Sequence, residues 1–337
     1  MAITIKLNAD YTGSGVDFSA FLAAHFAGFV PYQFPIFLAE DAAVTTQVLH
    51  LDTPTAGQEA QTRVVLLEGT DFFYTFSNHS VSGTIDTIRL GTLGAAWDED
   101  AEDLQKDADG RIGDMGDRVV LSDLGIVNPV GVKGDVHEIV RGMMGGGLDG
   151  ELADGAPILA HVWAEGHRLT GSTGDDSWSG TDFRDIARGG AGADVLKSLK
   201  GNDKLIGGAG KDSLFGGNGR DTLVGDAGRD TLAGGKGADS FVFAKLAHVK
   251  GDKIKDFKPN QGDTIDLSGI DAVQGTDGNQ AFTFVGTAGF SGTAGELAVR
   301  KTGGNRIVEG DVDGDGAADF ALTVLGKVNL GADDFIL

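Results

Sequence analysis

Two rhythms of apolar residues divide the chain. In the first half the rhythm changes from segment to segment. Phe18, Phe21, Leu22, Phe26 and Phe29 recur at i, i+3, i+4, which predicts an amphipathic helix over Asp17–Phe29 with Asp17 as its N-cap. Thr45–His50, Thr62–Leu67, Asp71–Phe76 and Thr84–Leu90 read as strands. Val136–Met144 and Ile158–Trp163 predict two further helices. Strands and helices segregate rather than alternate, so the first half is expected to be an α+β domain.

In the second half one period takes over. Between Gly171 and Val242 an aspartate falls at every ninth position: Asp176, Asp185, Asp194, Asp203, Asp212, Asp221, Asp230 and Asp239. Two residues after each stands an apolar one: Trp178, Ala187, Leu196, Leu205, Leu214, Leu223, Leu232 and Phe241. The full unit is G-G-x-G-x-D-x-U-x, clearest from Gly189, Gly207, Gly216 and Gly234. A flexible linker would keep neither the register nor the apolar position. The glycines allow tight turns that aim carbonyl oxygens inward, and each aspartate adds a charged oxygen. A hard cation such as Ca²⁺ takes six to eight such ligands. The candidate ligands are Asp176, Asp194, Asp203, Asp212, Asp221, Asp230 and Asp239, with Gly192, Gly210, Gly219, Gly228 and Gly237. Gly180–Phe183 and Ser198–Gly201 lack most of the glycines, which weakens the case for an ion at Asp185. Beyond Phe243 the segments Gly251–Phe257 and Gly262–Ser268 add Asp256 and Asp263 to the candidates, and Ala281–Val285 and Phe320–Val324 read as strands.

Composition narrows the function. The 337 residues include 55 glycines and no cysteine, and the formal charge is −23. So acidic a chain is not expected to bind nucleic acid, which needs a basic surface. Disulfides and thiolate metal sites are impossible. The first ten residues carry no basic and apolar leader, and no run reaches 18 apolar residues, so neither an N-terminal secretory signal nor membrane insertion is expected. Those two facts alone suggest a cytoplasmic protein, a reading the repeats reverse.

The nonapeptide array resembles the RTX repeat, an all-β parallel β-roll with Ca²⁺ between its turns. The segment Gly310–Phe320 and the ending Asp334-Phe335-Ile336-Leu337 resemble the β-rich cap and secretion region of serralysin-type RTX proteins. That resemblance implies an uncleaved C-terminal signal for type I export from a Gram-negative bacterium, and folding outside the cell where calcium is plentiful. Asp311, Asp313 and Asp315 fit the first half of a calcium loop but lack its closing glutamate, so a bound ion and a structural turn both remain open. The expected domains are residues 1–168, 169–244 and 245–337.

The first domain shows no enzyme motif. His137-Glu138-Ile139-Val140-Arg141 begins like H-E-x-x-H, but arginine replaces the second zinc ligand, and neither a G-x-S-x-G elbow nor a P-loop occurs. A binding protein rather than an enzyme is expected, although a hydrolase without a recognisable motif is a further alternative. The acidic run Asp98–Asp103 reads as a solvated loop.

Phe72–Gly91, with Y-T-x-x-N followed by H-S-V-S-G-T-I-D-T-I-R-L-G, and Gly134–Met144, GDVHEIVRGMM, resemble two stretches of the HasA-type haemophores in the same order. These secreted proteins capture haem and pass it to an outer-membrane receptor. The resemblance implies that haem b is held by Tyr74 as iron ligand, with His79 as the hydrogen-bond partner of its phenolic oxygen. Where relatives carry a second histidine this chain has none, which leaves the iron held by Tyr74 alone or with Gln33 or Tyr32 nearby; Met144 matches a pocket-lining residue, and Arg141, where relatives often have tyrosine, faces either a propionate or solvent. By spacing alone Tyr74 and His79 read as a core tyrosine on a strand and a surface-loop histidine; it is the flanking resemblance that turns the reading to haem. His25, on the apolar helix face, reads as buried structure. The alternative function is a structural or adhesive calcium-binding RTX protein whose first domain does not bind haem.

Overall fold

The computed structural model describes residues 2–10, 12–32, 35–38, 45–75, 77, 80–98, 101, 103–109, 111–113, 115–129, 132–143 and 153–337. They form two compact units, one of Met1–Thr12 and Val16–Glu165, the other of Gly13–Gly15 and Gly166–Leu337. The roll and the C-terminal segment expected to cap it therefore belong to one body.

The first unit contains β1 (Ile3–Leu7), α1 (Phe18–Phe26), β2 (Ile36–Leu38), β3 (Thr45–Leu51), β4 (Arg63–Thr75), β5 (Ser80–Thr92), β6 (Trp97–Asp98), β7 (Asp103–Leu104), β8 (Gly116–Ser122), β9 (Ile126–Asn128), α2 (Asp135–Met143) and α3 (Ala156–Val162). The sheet runs β2-β3-β4-β5-β8-β1, antiparallel throughout, with β9 added to β5. In β4 the run Val64-Val65-Leu66-Leu67 is buried on both faces. Val64 and Leu66 join Leu38, Leu49, Leu93, Ala96, Ile112 and Met115 in one core, and strand alternation turns Val65 and Leu67 to the opposite side.

Local chemistry sets the ends. The Asp17 carboxylate accepts from the Ala20 N–H at 2.9 Å, the N-cap expected of α1. The helix stops at Phe26, three residues early, because Ala27 leaves the helical region and Gly28 takes φ +64°. Phe29 is buried all the same. The two strands expected over 62–67 and 71–76 are one, β4, whose register with β5 breaks between Thr70 and Phe73, where Asp71 adopts φ +56°. Part of the acidic run is ordered rather than loop: β6 pairs with β7, and the Asp98 carboxylate accepts from the Ala101 N–H at 3.0 Å.

The second unit contains β10 (His167–Thr170), β11 (Ser177–Ser179), β12 (Ile186–Ala191), β13 (Val195–Lys197), β14 (Lys204–Gly210), β15 (Ser213–Asn218), β16 (Thr222–Gly228), β17 (Thr231–Lys236), β18 (Ser240–Val242), β19 (Lys253–Ile254), β20 (Thr264–Asp266), β21 (Thr283–Gly286), β22 (Glu296–Thr302), β23 (Asn305–Asp311), β24 (Phe320–Val324) and β25 (Phe335–Ile336). Successive nine-residue units alternate between two parallel walls, β10-β12-β14-β16-β18-β20-β25 and β11-β13-β15-β17-β19-β24. One apolar column, Leu169, Ala187, Leu205, Leu223, Phe241, Ile265 and Phe335, climbs the first wall in register. A second, Trp178, Leu196, Leu214, Leu232, Ile254 and Val324, climbs the other. The C-terminal segment continues both columns, then extends the second wall with the antiparallel strands β23 and β22.

Candidate functional site

The aspartates form two ladders at the turns of the roll. The backbone N–H of each donates to the Oδ1 of the aspartate one rung on: Asp176 to Asp194 (2.8 Å), Asp194 to Asp212 (2.9 Å), Asp212 to Asp230 (2.9 Å) and Asp230 to Asp252 (2.8 Å) at one edge. At the other edge Asp185 donates to Asp203 (2.8 Å), Asp203 to Asp221 (2.9 Å), Asp221 to Asp239 (3.0 Å) and Asp239 to Asp263 (3.1 Å). One oxygen per carboxylate is thus taken by the fold.

The second oxygen separates the aspartates into two kinds. Among the described residues the Oδ2 atoms of Asp194, Asp203, Asp212, Asp221, Asp230, Asp239 and Asp252 are buried with no hydrogen-bond partner. Burial pushes the carboxyls of Asp194, Asp203 and Asp252 up to about 7 and those of Asp230 and Asp239 up to about 6, and raises Asp212 and Asp221 as well. Orphaned buried anions in series are what a hard oxygen-seeking cation neutralises, and the donor set fits Ca²⁺.

Asp176 and Asp185 differ. Asp176 Oδ2 accepts from the Ser172 N–H at 2.6 Å and its Oδ1 from the Ser172 hydroxyl at 3.1 Å. Asp185 Oδ2 accepts from the Thr181 N–H at 2.8 Å, and its Oδ1 from the Thr181 hydroxyl at 3.0 Å and the His167 N–H at 2.5 Å. In this first rung a hydroxyl residue closes the carboxylate that elsewhere is left open. At the far end Asp263 Oδ2 accepts from the Lys258 N–H at 2.8 Å, and Asp256 accepts from the Gly234 and Gly235 N–H groups, both at 3.0 Å. Asp252 is a ligand candidate the nine-residue count does not reach. It lies 22 residues after Asp230 rather than 18, and its one sequence signal is the Gly-Asp-x-Ile pattern of Gly251–Ile254.

The glycines hold these carboxylates at close quarters. A Cβ on Gly189, Gly207, Gly216, Gly225 or Gly234 would sit 2.2–2.5 Å from the Oδ2 of its own repeat's aspartate. Gly210, Gly219, Gly228 and Gly237 each stack on the carbonyl oxygen of the glycine 18 residues earlier, where a Cβ would fall at 1.5–1.8 Å. Gly192 takes φ +112° and supplies the carbonyl under Gly210. Asp311, Asp313 and Asp315 also converge, but Asp311 is occupied by the Gly314 and Gly316 N–H groups at 2.7 and 2.9 Å.

A carboxyl whose pKa rises on folding binds its proton more tightly in the folded chain. Its contribution to stability is whole below the unfolded value near 4 and is lost as the pH climbs towards 7. In chelator the roll is therefore expected to keep more β-sheet circular dichroism at pH 5 than at pH 8, and calcium should erase the difference. Equal signals without calcium would show that these carboxylates are not buried together.

In the first unit Tyr74 lies on β4 opposite Val81 of β5, next to the turn of that hairpin. His79, Gln33 and Met144 lie outside the described residues. Tyr32 is exposed, and its N–H donates to the Leu51 oxygen at 2.8 Å. Tyr32 thus stands at the end of β3 opposite to Thr45, which pairs with Phe72; the separation along the strand is about 20 Å. Arg141 is exposed on α2 with its guanidinium 3.5 Å from Glu138. His137 is buried, its pKa lowered by burial, and its Nδ1 accepts from the Val81 N–H at 3.3 Å. His25 is buried as expected, its Nε2 3.0 Å from the Val64 oxygen, with burial lowering its pKa to about 4. No helix among the described residues is long and apolar enough to cross a membrane.

No curated protein matches the chain. Among solved structures it is similar to the AlgE6R3 subunit of the mannuronan C5-epimerase from Azotobacter vinelandii (28% identity, 50% of this chain and 80% of that one, TM-score 0.30). It is also similar to the hemophore HasA from Yersinia pestis in its apo form (20% identity, 48% and 85%, TM-score 0.32) and its holo form (22% identity, 47% and 86%, TM-score 0.31). Residues 169–337 match a family described as the peptidase M10 serralysin C terminal, a non-catalytic region associated with type I secretion. By that match, which begins at the roll and runs to the last residue, the chain belongs to the serralysin C-terminal family.

Proposed function

We propose that this protein is exported by a type I system, folds outside the cell when calcium enters the roll, and captures haem with its first unit for delivery to an outer-membrane receptor. The observation that carries the reading is the series of seven buried carboxylate oxygens without a partner. Where calcium is scarce these anions repel and the roll stays open, a state suited to export. Where calcium is abundant, binding and folding are one event.

Haem capture rests on the two stretches that resemble HasA-type haemophores. The reading is supported by the hydrogen bond from Val81 to His137, which joins one stretch to the other. Bound haem supplies a ferric centre that favours an anionic oxygen ligand. The part of this chain is to present that oxygen. A free phenol ionises near pH 10, so the Tyr74 phenolate needs a donor beside it, the role assigned to His79. Arg141, on the solvent side of α2, is the cation for a propionate.

Hemin titrated into the calcium-loaded protein is expected to give a saturable Soret band that Tyr74→Ala reduces at least tenfold in apparent affinity and His79→Ala weakens less. A band unchanged in Tyr74→Ala would overturn the ligand assignment. The second reading, a structural or adhesive RTX protein without haem, is favoured by the placement of Tyr32 far along β3 from Tyr74. It predicts no saturable band in the unmodified protein.

A further inference from the structure

Cations gather on one wall of the roll despite a net charge of −23. Lys211, Arg229 and Lys253 line a cleft of about 330 Å³ together with Thr231 and Gly251. All three cations are exposed, no carboxylate lines the cleft, and none of the three forms an ion pair among the described residues. The repeat builds the cleft. Lys211 and Arg229 are one 18-residue rung apart, each two residues before the strand position that pairs across β15 and β17, and Lys253 pairs with Thr231. Gly251 leaves room for the arginine, since a Cβ there would meet Arg229 Cγ at 3.1 Å and Nε at 3.3 Å.

The same wall continues the charge. Leu196, Leu214, Leu232 and Ile254 point into the core, so the residues flanking them face outward. Among these outward residues Lys197 and Lys255 place their ammonium groups 6.0 and 5.9 Å from the centre of the Phe215 ring. Five cations, two hydroxyl residues (Ser213 and Thr231) and one ring thus lie on, or at the strand starts of, one parallel sheet whose strands repeat every 4.8 Å or so.

We propose that this wall binds an extended acidic polysaccharide, its carboxylate or sulfate groups on Lys211, Arg229 and Lys253 and its sugar faces towards Phe215. Oxyanions at intervals along a chain complement cations repeated rung by rung. A sugar polymer suits the face better than nucleic acid, because the chain's overall negative charge opposes the denser row of phosphates.

The test uses the full chain in calcium buffer, with heparin fragments as the sulfated probe, hyaluronan fragments as the carboxylate probe, a poly-dT oligonucleotide and inorganic phosphate. Binding of at least one glycan is expected. The triple variant Lys211→Gln, Arg229→Gln, Lys253→Gln should weaken it about tenfold, since each exposed charge contact is worth a few-fold. A control triple, Lys204→Gln, Lys245→Gln, Lys327→Gln, removes the same charge from exposed positions off this wall and should change it less than twofold. Heparin binding without hyaluronan binding would assign sulfate, and the reverse carboxylate. Equal losses in both triples, glycan binding no tighter than that of phosphate or poly-dT, or no glycan binding by a protein whose calcium-dependent circular dichroism is intact would each overturn the proposal.

Discussion

Chelating calcium with EGTA at pH 7.5 is expected to abolish the β-sheet circular dichroism contributed by residues 166–337, and adding calcium back should restore it. The size of the effect follows from the ladder. A buried charge left unpaired costs several kcal/mol, and a domain of this size has only about 5–15 kcal/mol of net stability. Seven orphaned oxygens together exceed that margin. The first rung sharpens the test. Asp221→Asn removes an open anion and should raise the calcium midpoint of folding roughly tenfold. Asp185→Asn disturbs an oxygen already held by Thr181 and should lower the melting temperature while leaving the midpoint near its original value. A spectrum indifferent to EGTA, or identical midpoints in the two variants, would contradict the division between open and closed carboxylates.

The roll was legible in the sequence because each rung repeats the contacts of the one before, so a fixed period in aspartate and apolar residues is also a fixed position in space. Legibility fails where the period fails. Asp252 escapes the count because four extra residues follow Asp239 before the wall resumes. Thr181 reads as decay of the glycine pattern, yet it, like Ser172 one unit earlier, supplies the hydroxyl and N–H that close a carboxylate. In the first unit local chemistry was readable at the start of α1, where a capping aspartate has one conformational role. It was not readable at the end, where Gly28 acts only through its backbone angle. Gly69-Thr70-Asp71 looks like a turn in one dimension, but in the sheet it is an irregularity inside a single long strand, because pairing with β5 outweighs the local preference of Asp71. For haem, motif resemblance reached residues on separate segments: Tyr74 lies on β4, and the Tyr32 N–H is bonded to Leu51 at one end of β3.

Gly219→Ala should be among the most damaging single substitutions outside the aspartates. Gly219 has φ +138°, a region closed to L-residues, and an added Cβ would fall 1.5 Å from the Gly201 carbonyl oxygen. That oxygen cannot retreat at small cost, because Gly201 is itself fixed by its N–H bond to Asn218 at 3.0 Å and lies in the stack of turns. The clash therefore propagates along the ladder and should cost about 3 kcal/mol or more, lowering the melting temperature in saturating calcium by about 10 °C. Gly303→Ala is the control. Its φ of +58° is the left-handed helical value and nothing lies within 4 Å of its Cβ position, so only the conformational penalty of about 1 kcal/mol applies. Comparable shifts for the two variants would mean that the stacked glycines matter for their backbone angle alone, and that the close contact between successive turns is not what requires them.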